Sequence, residues 1–249
     1  MMTTSDGTVP VMLVTGGSGG IGQALARRLR ARGCHVVLAA RDVARLEAAA
    51  SEIGADALPA DVSVSSEADG LVARVLERHG RIDGLAHCVG SILLKPLHLT
   101  SDGDWDKTMA TNLTSAFKVM RAVVGQYRAA VGIALVSSSA AGVGLPNHEA
   151  IAASKAGIEG LVRAAAATYA SRGVRVNAVA PGLVRTHLSA RITGSEAALA
   201  RSLTLHPIGR IGEPDDVAAV LELLLDPAHS WITGQVISVD GGMSHLRAL

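Results

Sequence analysis

Aromatic residues are nearly absent from this sequence: two Trp, two Tyr and one Phe among 249 residues. So few rings leave little on which nucleic-acid bases could stack. Charge of a single sign is missing too. The 23 Lys and Arg offset the 22 Asp and Glu to a net charge of +1, with the charges scattered, which excludes a basic nucleic-acid groove or membrane-binding face. Only two cysteines occur, Cys34 and Cys88, both on apolar runs and outside any C-x-x-C or Cys/His spacing. They read as buried free thiols in a reducing compartment, and no metal is expected. No apolar run is long enough to span a bilayer. The polar start, residues 1–9, lacks a signal peptide's apolar stretch and is expected to be flexible. The reading is a cytoplasmic protein with no nucleic-acid or membrane partner.

What is abundant is apolar side chain, 49% of the total, and glycine, at 27 residues. That supply suits a large buried core. Five of the glycines fall between Thr15 and Gly22. An apolar run at 11–14 precedes them and reads as a buried strand, and helical spacing resumes over 23–32. Gly17, Gly19 and Gly22 fit G-x-G-x-x-G, while Thr15, Gly16, Gly20 and Gly22 fit T-G-x-x-x-G-x-G. Strand, glycine turn and helix together present backbone N–H groups and a positive helix end to a pyrophosphate, so dinucleotide binding is expected.

A second buried strand over 34–40 ends in alanines, followed by Arg41 and Asp42. An acid ending that strand would bind both ribose hydroxyls of NAD; a guanidinium there suits a 2′-phosphate, which favours NADP(H) over NAD(H). A short third strand over 57–60 leads to Asp61 and Val62, where a carboxylate could accept from an adenine amino group or cap a loop. A fourth strand over 82–86 runs into His87-Cys88-Val89-Gly90, whose glycine lets the backbone pass close to a cofactor. The apolar loop 91–99 lies beyond that strand's carboxyl end, where ligands bind in open α/β sheets, and reads as one wall of a substrate cleft. Residues 105–128 read as one long or two abutting helices containing Asn112. A fifth strand, 133–136, precedes Ser137, Ser138 and Ser139. A helix over 149–171, a sixth strand over 174–179, a helix over 215–225 started by Pro214 and a last strand over 235–239 complete the alternation. One doubly wound parallel sheet of Rossmann type, with helices on both faces of a single domain spanning 1–249, is the economical fold.

These landmarks resemble the short-chain dehydrogenase/reductase family from about Val11 to Gly242, in particular its β-ketoacyl-ACP-reductase-like members. The matching residues are the Thr15–Gly22 glycine motif, Asp61-Val62, Asn112, the serines after strand five, Ser154-Lys155, Asn177, Pro181-Gly182 and Val239-Asp-Gly-Gly. The resemblance implies hydride exchange between NADP(H) and a ketone or secondary alcohol, and a homotetramer or dimer built partly through the helices around Asn112 and Lys155. It implies cofactor contacts from Gly16, Ser18, Gly20, Ile21, Gly22, Arg41, Asp61, Val62, Gly90, Lys155, Pro181, Gly182, Val184 and Thr186, with Thr186 on the carboxamide.

The family's catalytic group is Asn, Ser, Tyr and Lys, with the last two as Tyr-x-x-x-Lys. Four residues apart on a helix places both on one face, where the ammonium lowers the phenol's pKa. Lys155 is present, yet the tyrosine position holds Ile151, and Tyr127 and Tyr169 do not precede a suitable lysine. His87-Cys88-Val89-Gly90 replaces the family's Asn-Asn-Ala-Gly. Spacing back from position 151 selects Ser138 as the serine; the Ser-Ser-x-x-Gly pattern selects Ser139. Asn112 and Lys155 keep their implied roles, on backbone and water and on the nicotinamide ribose. His148, or Glu149 beside it, is the candidate substitute for the phenol, since imidazole titrates near neutrality. His87 and His98 are weaker candidates. The expected function is an NADP(H)-dependent oxidoreductase acting on a fairly apolar carbonyl or alcohol through an atypical proton donor. The alternatives are a catalytically silent NADP(H)-binding sensor or partner subunit, and a structural subunit with an empty cleft.

Overall fold

Alternation along the strands decides the layers. In β1 (Val11–Thr15), Val11 and Leu13 enter one core while Met12 and Val14 enter the other, because successive side chains leave opposite faces of a strand. The computed structural model describes residues 2–4, 7–127 and 129–246. After β1 come α1 (Gly20–Ala31), β2 (His35–Ala39), α2 (Val43–Ile53), β3 (Asp56–Ala57), α3 (Ser65–His79) and β4 (Gly84–His87). The second half runs α4 (Asp102–Met109), α5 (Ser115–Gln126), β5 (Gly132–Val136), α6 (Glu149–Tyr169) and β6 (Arg175–Pro181). It ends with α7 (Ala190–Thr193), α8 (Glu196–Thr204), α9 (Pro214–Leu225) and β7 (Val236–Val239).

The strands pair in parallel in the order β3-β2-β1-β4-β5-β6-β7, so the order reverses between β1 and β4. Helices α3, α5 and α6 bury apolar stripes on one face; α1, α2 and α9 cover the other. The doubly wound Rossmann-type sheet expected from the sequence is therefore present. On the second face, Arg28 of α1 and Arg32 at its C-cap both grip Glu222 of α9, at 2.6 and 2.9 Å.

Several boundaries move. The first helix begins inside the glycine run, at Gly20, rather than at Gln23. The third strand is confined to Asp56–Ala57, although Leu58 and Ala60 still donate to the Leu38 and Ala40 carbonyls; Pro59 between them falls on the open edge side, where no N–H is needed. The helix expected over 105–128 is α4 and α5 joined through a π turn, Ala110–Thr114. Of the start expected to be flexible, residues 1, 5 and 6 lie outside the described residues. Met2 is tied down: it is buried, its N–H donates to Arg32 O at 2.8 Å, and its sulfur meets Cys34 Sγ at 3.7 Å. Cys34 and Cys88 are free thiols. Among the described residues, no helix is long and apolar enough to cross a membrane.

Candidate functional site

A cavity of about 660 Å³ opens at the carboxyl ends of β1, β2 and β4, where the strand order reverses. Its floor is the glycine turn. Gly16 adopts φ +74°, and a Cβ there would stand 2.7 Å from the Cys88 carbonyl carbon; a Cβ at Gly22 would stand 2.5 Å from Gly16 O. Only glycine lets β1, the turn and α1 close this tightly. Among the described residues no side chain caps α1, whose N-cap is Gly19 and whose first turn carries no acid. The first N–H groups of α1 therefore face the cavity with their partial positive charge uncompensated, a cradle suited to a pyrophosphate.

Gly16, Ser18, Gly20, Ile21 and Gly22 line this cavity, as do Arg41, Asp61, Val62, Gly90 and Thr186. Pro181, Gly182, Val184, Asn112, Ser138, Lys155 and His148 do not border it. At its mouth Arg41 Nη1 stands 3.7 Å from Asp61 Oδ2. Burial raises the Asp61 pKa, but the Ser63 hydroxyl and N–H, together with Arg41, outweigh it and hold the carboxyl below its ordinary value. Sequence reasoning missed the cavity residues Arg45, Ser63, Thr111 and His187. Arg45 reaches over the turn to Ser18 O at 3.4 Å, and His187 follows Thr186 on the opposite wall. Arg45 lies in the first turn of α2, three residues after its N-cap Asp42, whose side chain accepts from Arg45 N.

Behind the cavity, Asn112 and Lys155 converge on Gly90: a Cβ built there would lie 3.1 Å from Asn112 Oδ1 and 3.5 Å from Lys155 Nζ. Asn112 is fully buried in the π turn. Its Oδ1 accepts from Ser91 N at 3.0 Å, and its Nδ2 donates to Ser91 Oγ at 2.9 Å and Thr108 O at 3.0 Å. The turn redirects one backbone bond, because Ser115 N–H reaches Ala110 O; the Thr111 carbonyl is taken up by Ser115 Oγ at 2.6 Å. Lys155 is 5% exposed and donates to Val136 O at 2.8 Å. Burial pulls its pKa down to about 8, with Cys88 opposing slightly. Burial also pushes the Cys88 thiol up to about 12, against a smaller pull from Lys155.

The three serines separate cleanly. Ser137 Oγ donates to Glu159 Oε1 at 2.9 Å and to Lys155 O, and Ser139 Oγ donates to Asp240 Oδ2 at 2.9 Å; both are buried. Ser138 is half-buried, and its Oγ accepts from Ala140 N at 3.2 Å, which leaves its proton available. Ile151, one helical turn before Lys155 on α6, is 5% exposed.

His87 is not at the cavity surface. It is fully buried, with Nδ1 2.8 Å from Thr15 Oγ1 and Nε2 3.0 Å from Ser115 Oγ. Ser115 spends its own proton on Thr111 O, so His87 Nε2 carries the hydrogen and Nδ1 accepts from Thr15. Burial, aided by the Lys155 charge, drives its pKa down to about 3. His148 precedes α6 half-buried; its Nδ1 donates to Pro146 O at 2.8 Å, leaving Nε2 as the outward nitrogen. Glu149 Oε1 accepts from Leu97 N at 3.3 Å, and Asn147 O accepts from Lys95 N at 2.8 Å. These two bonds fasten the apolar loop 91–99 to the start of α6. His98 is exposed on that loop.

A family model described as enoyl-(acyl carrier protein) reductase matches residues 16–244. The 2-(S)-hydroxypropyl-CoM dehydrogenase 3 of Xanthobacter autotrophicus is 34% identical over 245 residues, covering 94% of this chain and 96% of that one. A 3-oxoacyl-[acyl-carrier-protein] reductase of Synechocystis sp. is 36% identical over 248 residues, covering 95% and 97%. Among solved structures, a short-chain type dehydrogenase/reductase from Mycobacterium ulcerans superposes with a TM-score of 0.93 at 30% identity, covering all of this chain and 93% of that one. An actinorhodin polyketide ketoreductase variant solved with NADPH gives 0.91 at 32% identity, covering 98% and 100%.

Proposed function

Because this chain belongs to the short-chain dehydrogenase/reductase family, we propose that it binds NADP(H) and interconverts a fairly apolar ketone and its secondary alcohol. The observation that carries the reading is the uncapped start of α1 beneath a cavity whose mouth holds Arg41 and Arg45. Backbone N–H groups of α1 hold the pyrophosphate, and the guanidinium of Arg41 takes the 2′-phosphate through charge-assisted bonds. Bound there, the nicotinamide supplies or accepts the hydride at the carbonyl carbon. Lys155, on the far side of Gly90, orients the nicotinamide ribose. Ser138 donates its free proton in a hydrogen bond to the substrate oxygen. The proton that must reach that oxygen comes from the imidazolium form of His148: Nδ1–H stays on Pro146 O, and the unengaged Nε2–H is the one given up, leaving the neutral ring. Glu149 acts by holding the cleft wall through Leu97.

The substrate class follows from the loop 91–99, where Ile92, Leu94, Leu97 and Leu99 are all exposed beside the start of α6. Assembly as a tetramer or dimer through α5 and α6 is supported by Phe117, 46% exposed on α5; light scattering reads the mass. The test of the activity is turnover over ketones and secondary alcohols, with His148→Ala and Glu149→Ala as comparisons. Full activity in His148→Ala removes it as the proton donor. A second reading is favoured by Ile151, buried where the family has its phenol: a cofactor-binding protein without redox chemistry. Tight NADP(H) binding with no turnover for any substrate selects it.

A further inference from the structure

The segment 187–205, which carries α7 and α8, hangs from one short stretch of backbone. None of the residues in α7 or α8 is buried, so the segment has little packing of its own to fix it. A buried polar side chain stands at each end instead. At the near end Ser189, 3% exposed, donates through Oγ to Val184 O at 2.5 Å and accepts from Thr186 N at 3.0 Å. At the far end His206, also 3% exposed, accepts from Leu183 N through Nε2 at 3.1 Å. Its other nitrogen, Nδ1, is 2.6 Å from Ser202 O. A backbone N–H can only donate and a carbonyl can only accept, so His206 is locked as the neutral Nδ1–H form.

The two anchors grip peptide groups of the same turn, the one that follows β6: His206 holds Leu183 N, and Ser189 holds Val184 O and Thr186 N. The imidazole also packs closely against that turn: a Cβ at Gly182 would meet His206 Nε2 at 2.5 Å and Asp240 Cβ at 3.1 Å. The Leu183 carbonyl is held from the other side by Gly212 N at 2.8 Å, and Val184 bridges to Gly212. Leu183 therefore has its N–H and its C=O both fixed, the first by His206. Three residues later Thr186 enters the cavity wall.

We propose that His206 is a positioning residue for the nicotinamide half of the cofactor: through Leu183 it sets the turn 181–186 and ties that turn to the segment 187–205. This rests on the NADP(H) reading given above. Removing the imidazole frees the part-buried Leu183 N–H and takes away the side chain that holds it, so the turn shifts and Thr186 with it. The adenosine half of the cavity, built from α1 and Arg41, keeps its geometry.

The experiment compares two probes by calorimetry, NADPH and adenosine 2′,5′-bisphosphate, which lacks the nicotinamide. His206→Leu is expected to weaken NADPH by about three- to tenfold, the worth of one neutral hydrogen bond, and to leave the bisphosphate unchanged. His206→Gln, whose side-chain oxygen can accept from Leu183 N, should recover most of that loss. Equal weakening of both probes, or unchanged NADPH affinity, overturns the proposal. Failure of the unaltered protein to bind NADPH or the bisphosphate instead overturns the cofactor reading. Should His206→Leu not fold, imidazole ¹⁵N NMR of the unaltered protein decides. His206 must appear as the Nδ1–H form, and its Nε2 signal must move with NADPH but not with the bisphosphate; a signal that ignores NADPH overturns the proposal.

Discussion

Arg41 and Asp61 face each other across the cavity mouth, Nη1 to Oδ2 3.7 Å, so the cation assigned to the 2′-phosphate already has a weak anionic partner. Both side chains are partly in water, which keeps that pairing loose. A 2′-phosphate has to share Arg41 with the carboxylate. Arg41→Ala should weaken NADP(H) by about 1.5–3 kcal/mol and leave NAD(H) nearly unchanged. Asp61→Asn should shift affinity the other way, in favour of NADP(H). Calorimetry with both cofactors checks this; NAD(H) binding as well as NADP(H) in the unaltered protein removes the assignment.

Ile151→Tyr places a phenol one helical turn from an existing ammonium. Position 151 is 5% exposed, so the larger ring costs about 1–3 kcal/mol of stability. A positioned general acid is typically worth about 10²–10⁴ in rate. The variant should gain ketone reduction relative to the parent, with cofactor affinity little changed. A parent that already turns over quickly and loses activity on this substitution would show position 151 to be a specialised apolar contact.

Lys155 carries a charge inside the protein at a cost. Its pKa falls to about 8 from the ordinary 10.5, so the folded state disfavours its proton. Between those values the unfolded chain binds the extra proton, and the residue's contribution to stability improves as pH rises through that window; below about 8 the penalty is constant. Lys155→Met should therefore raise the cofactor-free protein's stability at pH 7 by about 1–3 kcal/mol while weakening NADP(H). Urea unfolding reads the first effect. A less stable variant would mean that the Val136 bond outweighs the burial of the charge.

The buried relay from Thr15 through His87 to Ser115 has an acid limit. The His87 pKa is about 3 when folded against an ordinary value of 6.5, so the unfolded chain takes up the proton first as pH falls. The stability associated with neutral His87 is complete above about 6.5 and is lost as pH falls toward 3, by up to about 1.4 kcal/mol per pH unit. His87→Gln, which has no titrating group, should flatten the stability curve over pH 4–6. Identical slopes in both proteins would show that His87 does not titrate as described.

The glycine turn and the parallel sheet were legible because apolar strand runs and the helical spacing of α1, α6 and α9 are set locally. The second half of the site was less so. The stretch 105–128 read as one long or two abutting helices, and because a π turn changes no residue type the break at Ala110–Thr114 could not be located. Helices α7 and α8 bury none of their residues, and the sequence reading placed no element there. His87 was readable only as a possible strand-end histidine; that both its nitrogens are taken depends on Thr15 and Ser115, distant in sequence. His206 carried no local signal either, since its partner Leu183 lies 23 positions away. The choice among the three serines turned on Asp240, at the other end of the chain.

The π turn makes α4 and α5 a matter of counting. Five residues per hydrogen-bonded loop instead of four is equivalent to one residue slipped into a continuous helix, and each residue advances the helix by about 100°. Delete any one residue between 110 and 114 and the two helices fall into a single phase. Either α4 then turns away from its contacts with α6 or the buried stripe of α5 rolls off α3. The placement of Asn112 is thus written as chain length as well as side-chain identity. Substitutions that keep the helices leave that count alone, whereas the smallest insertion or deletion there puts α4 out of register with α6 or α5 out of register with α3.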